Sequence, residues 1–248
     1  MKVKVLVLAI LFTVFGVSGA SAATIDLFQW IFNVNSSVYD SFGTDGPSTL
    51  PGNFNTGGFN AGTGLGTITV TLTGAGPQNF IGFFDHEIDQ FVNGWTNEAG
   101  IVVNLGSKPA QLSWEIDEPG FGGILGNIYT NVKNGALDNS NAVGDPPIDD
   151  VSMALGWNFN LNAGETATIR LNLSLNNQTP EFAGFYLAQW DPDSFNNQIA
   201  PPWAFYFSST LDIQGGGPEP IPEPATMLLL GSGLVGLAGF GRRKLFKK

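Results

Sequence analysis

The stretch from residue 152 to residue 175 constrains the fold more than any other. Met153, Leu155, Trp157, Phe159 and Leu161 alternate with Ser152, Ala154, Gly156, Asn158 and Asn160. After Asn162-Ala163-Gly164 the alternation resumes, with Ala167, Ile169, Leu171, Leu173 and Leu175 set against Thr168, Arg170, Asn172 and Ser174. A repeat of two puts successive side chains on opposite faces of a strand. The three intervening residues form a short hairpin turn, in which Gly164 is free to take a positive φ.

The same alternation returns twice. Ile68, Val70 and Leu72 alternate with Thr67, Thr69, Thr71 and Thr73, and Trp203, Phe205, Phe207, Ser209, Leu211 and Ile213 alternate with Ala204, Tyr206, Ser208, Thr210 and Asp212. Shorter strands are expected at 25–32, 80–84, 101–104, 111–116 and 184–190, which brings the number to nine. Many short strands separated by Gly, Pro and Asn, each with one apolar face, predict a mostly β chain folded as an antiparallel two-sheet sandwich, jelly-roll-like. Residues 123–135 break the pattern. Ile124, Leu125, Ile128, Tyr129 and Val132 fall at helical spacing and Gly135 sits at a C-terminal cap position, so one short helix is expected there. Residues 41–66, rich in Gly, Thr, Asn and Pro, read as a long surface loop.

Both ends of the chain carry transport information. A basic Met1-Lys2-Val3-Lys4, an apolar 5–17 and the small residues Ala20 and Ala22 make residues 1–23 a secretory signal peptide, exported by Sec and removed by signal peptidase. Its apolar run is shorter than the ~20 residues that span a bilayer. Residues 24–214 form the expected β-sandwich ectodomain and 215–221 a Gly/Pro linker. In 222–248, Pro222-Glu223-Pro224 precedes an apolar Ala225 to Phe240 and the basic Arg242, Arg243, Lys244, Lys247 and Lys248. Sixteen residues make a helix of about 24 Å against an apolar core of ~30 Å, a short transmembrane helix suited to a transient hold in the inner membrane. The basic cluster fixes the C-terminus in the cytoplasm.

This tail resembles the PEP-CTERM sorting signal of Gram-negative bacteria, motif by motif over about a tenth of the chain. The resemblance implies that an exosortase cleaves near Pro222, Glu223 and Pro224 and delivers the ectodomain to the cell surface, or to the exopolysaccharide matrix of a biofilm. The strings Phe83-Phe-Asp-His-Glu-Ile-Asp89 and Ser113-Trp-Glu-Ile-Asp-Glu-Pro-Gly120 resemble an ectodomain that recurs among such proteins, with no activity implied.

Charge narrows the partners. Between Thr24 and Pro224, Lys108, Lys133 and Arg170 face all 21 acidic residues, a formal charge of −18, which argues against nucleic acid and acidic lipid. Cysteine is absent, so disulfides and thiolate sites are excluded. An acidic protein among acidic polymers is repelled unless divalent cations bridge the two.

Three sets of residues could carry chemistry. Asp85, Glu87 and Asp89 at i, i+2, i+4, and Glu115, Asp117 and Glu118, offer paired carboxylates for a hydrolase, although solvated strand ends account for both sets. His86, the single histidine, reads as a lone exposed side chain. Loop oxygens suit calcium better, and Asp145, Asp149 and Asp150 are the expected ligands, with Asp138 to Asn141 and Asp191 to Ser194 as further clusters. Trp157 and Trp203 fall on inward faces, whereas Trp95 and Trp190 lie near turns where an indole could stack on a sugar. The expected protein is an exported, non-enzymatic surface or matrix protein, structural or adhesive. A carbohydrate-binding module is the alternative and a secreted glycosidase the third reading.

Overall fold

Alternating strands become sheets when their apolar faces meet, and here they form two. The computed structural model describes residues 24–43, 45–94, 98–120, 125–143, 150–192, 204–216, 232 and 234. Its strands are β1 (Ile25–Val34), β2 (Ser37–Asp40), β3 (Phe54–Asn60), β4 (Leu65–Thr73), β5 (Gly76–Ile88), β6 (Ala99–Val103), β7 (Leu112–Asp117), β8 (Ser152–Leu161), β9 (Glu165–Ser174), β10 (Tyr186–Trp190) and β11 (Phe205–Gly215). One sheet has the order β2-β1-β5-β8-β7 and the other β3-β4-β9-β11-β10-β6. Every named pairing is antiparallel.

The alternating residues close on one another as their period dictates. Ile68, Val70, Ile169, Leu171, Phe205 and Phe207 of the six-stranded sheet meet Phe32, Phe80, Phe84, Met153, Leu155 and Trp157 of the five-stranded sheet. Trp157 Nε1 donates to Ser209 Oγ at 2.8 Å and so ties the two layers together. An indole N–H buried without such an acceptor would be costly.

The five-stranded sheet is covered on its other face as well. α2 (Ile128–Asn134) lays Ile128 and Val132 on Ile31, Ile81, Phe83 and Ala154. The Asn33 side-chain amide donates to the Val132 and Lys133 carbonyls at 2.8 and 3.1 Å, satisfying acceptors that the helix end leaves open. Lys133 pairs with Asp40 of β2 at 3.0 Å. Residues 80–88 of β5 are all buried, and Phe80-Ile81-Gly82-Phe83-Phe84 runs without alternation because the other sheet covers one face and α2 the other.

Four expectations need correction. The strands number eleven among the described residues, not nine, since β2 and β3 lie in segments without alternation. The expected loop 41–66 contains β3, whose pairing with β4 is interrupted by a bulge between Asn55 and Gly58. The helix begins at Ile128; Leu125 has φ 61° and is 70% exposed, so its helical spacing to Ile128 is coincidental. Finally, β11 continues through Gly215, the first residue assigned to the linker. The helix α1 (Gln90–Asn93) is a single turn. Among the described residues no helix is long and apolar enough to cross a membrane. The signal peptide lies outside them, and of the expected transmembrane segment only Ser232 and Leu234 are among them.

The edge of β7 is closed by the segment that follows α2. Ile116 N donates to Ser140 O at 3.0 Å and Ala142 N to Ile116 O at 2.9 Å, which takes up groups an open edge would expose.

Gly66 makes the close approach of β3 to β4 possible. Its φ is 119°, and a Cβ there would lie 1.9 Å from the Gly58 carbonyl oxygen. Gly66→Ala is expected to lower stability by at least ~2 kcal/mol, through backbone strain and displacement of β3. Urea denaturation measures it, and an unchanged midpoint would show that β3 does not hold this register.

Candidate functional site

The outer face of the five-stranded sheet changes character along its length. Where α2 covers it, the residues are Ile31, Phe83 and Ala154, and one step further they are polar. Asp117, Ser152, Asp85 and Gln29 stand side by side across β7, β8, β5 and β1, since Asp117 pairs with Ser152, Ser152 with Asp85, and Asp85 with Gln29. In the next row Glu87 pairs with Asp26. The i, i+2 spacing of Asp85 and Glu87 therefore does put them on one face, while Asp89 lies past the end of β5, where its Oδ1 accepts the Thr24 amide at 2.6 Å.

These are not solvated strand ends. Asp85 is fully buried and Glu87 is 4% exposed. Asp85, Glu87 and Asp150 each bring a carboxylate oxygen within 4.8 Å of the others. Ser152 Oγ donates to Asp85 Oδ1 at 3.0 Å, whereas Asp85 Oδ2 and Glu87 Oε2 have no hydrogen-bond partner among the described residues. Burial, reinforced by Asp150 and Glu87, pushes the Asp85 carboxyl well above the usual carboxylate range. Burial, with Asp26 beside it, pushes Glu87 up to about 7.

A fourth carboxylate lies behind this group. Glu98, fully buried just before β6, accepts Ile88 N at 2.7 Å and Val151 N at 3.4 Å, together with the Gln189 side-chain amide. Gln189 Nε2 also donates to the His86 carbonyl at 2.6 Å. Glu98 thus joins β5 and β8 of one sheet to β10 of the other, and burial raises its pKa well above the usual range. No pattern in the sequence marks Glu98 or Gln189; only strand register brings them here.

His86 points to the opposite face of β5. It is fully buried rather than exposed, with its ring centroid 3.9 Å from that of Phe205. Neither ring nitrogen makes a hydrogen bond of ordinary geometry, Nε2 faces the Gly64 backbone, and burial pushes its pKa down to about 3. It is a neutral core ring on the face of β5 opposite Asp85 and Glu87.

The second acidic set is also structural. Glu115 is fully buried, accepts the Asn131 side-chain amide at 2.9 and 3.1 Å and the Asp138 amide at 3.2 Å, and is pushed by burial up to about 7. Asp117 accepts Asn127 N at 2.7 Å and Glu118 N at 2.9 Å. A carboxylic acid whose folded pKa exceeds its unfolded value near 4.5 holds its proton longer when folded, so its ionisation costs stability as pH rises from about 4.5 to about 7. The EDTA-treated protein is accordingly expected to melt at a higher temperature at pH 5 than at pH 7.5. Glu115→Gln should remove on the order of 2 kcal/mol of that dependence, and an unaltered pH profile in the variant would refute the assignment.

The remaining candidates fall as follows. Asp150 is described, whereas Asp145 and Asp149, its expected companions in a calcium site, lie outside the described residues. Asn139 and Asn141 of the cluster at 138–141 use their side chains on Trp114 N and Gly100 O, at 3.3 and 2.8 Å. Trp190 is buried against Ala99 and Ala204 rather than presented at a turn. Trp95 and Trp203 are outside the described residues, as are Ala20, Ala22, Pro222, Glu223, Pro224, Arg242, Arg243, Lys244, Lys247 and Lys248.

What the two sheets define is a β-sandwich-like protein with a buried carboxylate group on one outer face. The chain's destination is given by its end. Residues 220–244 match the family described as the PEP-CTERM protein-sorting motif, a span that includes Pro222-Glu223-Pro224 and the first three basic residues of the tail. The chain is thus an exported protein, sorted by exosortase and passed through the membrane to the cell surface. No curated protein and no solved structure matches it.

Proposed function

We propose that this chain is a non-enzymatic surface or matrix protein of a Gram-negative bacterium, whose jelly-roll-like ectodomain serves a structural or adhesive role among exopolysaccharides. Sec exports the chain, the 225–240 segment halts in the inner membrane, and cleavage near Pro222, Glu223 and Pro224 frees the ectodomain. The observation that carries this reading is the sorting motif at 220–244, at the end of a chain whose residues 24–224 carry a formal charge of −18.

The carboxylates weigh against a glycosidase. Retaining and inverting enzymes hold their pair around a sugar-sized cleft, while Asp85, Glu87 and Asp150 each bring one oxygen within 4.8 Å of the others. Asp85 and Glu87 are also buried beneath the surface. The carbohydrate-binding alternative asks for coplanar exposed rings. Among the described residues Phe28 and Phe42 pair at 5.7 Å but are inclined by 47°, and the groove of about 690 Å³ beside Lys108, Gln111 and Asn158 is bordered by a Trp114 that is 6% exposed.

Replacing all three residues, Pro222→Ala, Glu223→Ala and Pro224→Ala, tests the sorting step in the native cell. The variant is expected to remain in the membrane fraction while the parent protein leaves it. Equal release of both would refute the role of the tripeptide.

A further inference from the structure

Buried carboxylate oxygens without donors call for a counter-charge, and the outer face of the five-stranded sheet holds several. We propose that Asp85, Glu87 and Asp150 bind one divalent cation, calcium in the exported compartment, and that this ion fastens the end of β5 to the start of β8.

The geometry fits a single ion. A calcium ion holds oxygens at about 2.3 to 2.6 Å, so two of its ligands stand at most ~5 Å apart. The three carboxylates meet that limit, with oxygens all within 4.8 Å. Asp85 and Glu87 come from alternate positions of β5 and Asp150 from the chain entering β8, which registers Asp85 opposite Ser152. A second observation is independent of this clustering. Asp85 Oδ2 and Glu87 Oε2 lack any hydrogen-bond partner among the described residues, on side chains that are 0% and 4% exposed. An ionised carboxylate buried in that way is strongly disfavoured unless it is paired, protonated or coordinated to a metal.

The donor set selects the metal. All three ligands are carboxylate oxygens, the chain has no cysteine, and His86 points into the core on the opposite face of β5. That excludes the nitrogen and sulfur ligands zinc and copper prefer. Magnesium requires near-ideal octahedral geometry and retains several waters, whereas calcium accepts irregular oxygen cages. Asp26, paired opposite Glu87, adds a further carboxylate beside the group. Glu98 is committed to the Ile88 and Val151 amides and to Gln189.

The test uses the full chain in detergent, stripped with EDTA at pH 7.5 and titrated with calcium chloride alone. Calorimetry is expected to show one ion per chain, and the melting temperature should rise by about 5 to 10 °C at a hundredfold excess over Kd. Asp85→Asn with Glu87→Gln should abolish both signals. Because those changes also remove like-charge repulsion, the metal-free variant should melt no lower than the stripped parent. Should that variant fail to fold, Asp150→Asn replaces it, with at least a tenfold loss of affinity expected. Absence of binding in the parent, or binding unaffected by the substitutions, would overturn the site and leave the sorting reading untouched.

Discussion

Phe84→Ala is expected to cost about 3 to 5 kcal/mol, among the largest losses any single substitution in the domain can cause. Phe84 is fully buried on the inner face of β5, where its ring lies 5.8 Å from Phe32 on the neighbouring β1 and 5.1 Å, edge-on, from Phe207 on β11 of the opposite sheet. Phe59 of β3 approaches at 6.0 Å. Truncation opens a cavity at the meeting point of both sheets, and three aromatic partners lose their contact together. Rigid strands on either side limit how far the site can collapse, which places the expected loss toward the upper end. For a domain of this size the midpoint should fall by about 10 °C or more. Phe91→Ala is the control, because Phe91 is 87% exposed on α1 and its loss should change stability by no more than ~0.5 kcal/mol. Equal melting of the two variants would contradict the two-layer core.

The sequence makes much of that core legible, and the physical reason is periodicity. Where a strand has one buried face, as in β4 and β9, alternate residues announce it, and Ile68, Val70, Ile169 and Leu171 are all fully buried as expected. The rule fails in two directions. β3 carries Asn55-Thr-Gly-Gly58 across a bulge and offers no alternation, so it hides inside an apparent loop. β5 is covered on both faces and its pattern dissolves into a continuous run, which is why only its middle was evident.

Burial also explains the errors at the candidate site. Asp85, Glu87 and Glu115 look like solvated charges because carboxylates are seldom buried, and the Asn131 contact that sets Glu115 against α2 cannot be read from spacing. His86 is legible only once its parity with Phe84 and Ile88 is combined with knowledge of which face is the core. Glu98 and Gln189 come together from distant parts of the chain, through pairing of β10 with β6 and the hydrogen bond to the His86 carbonyl. The calcium expectation named Asp150, whereas the approach of Asp85 and Glu87 to it is set by strand register and cannot be read from neighbouring positions in the sequence.

The second large effect concerns the tail and is close to all-or-none. The motif at 220–244 combines a turn-forming acidic tripeptide, an apolar segment too short for comfortable permanent residence and a basic stop. If the segment were a plain anchor, every mature molecule would keep it. If it is a sorting signal, the molecules that reach the surface have lost it, and the fraction retaining it should be confined to the inner membrane as a precursor. Intact-mass analysis of the surface-released protein from its native cell separates the two. The account predicts a species that begins at Ala23 or Thr24 and ends near Pro224, with or without an adduct on the new carboxyl end. A released protein whose mass still includes Ala225 to Lys248 would contradict it.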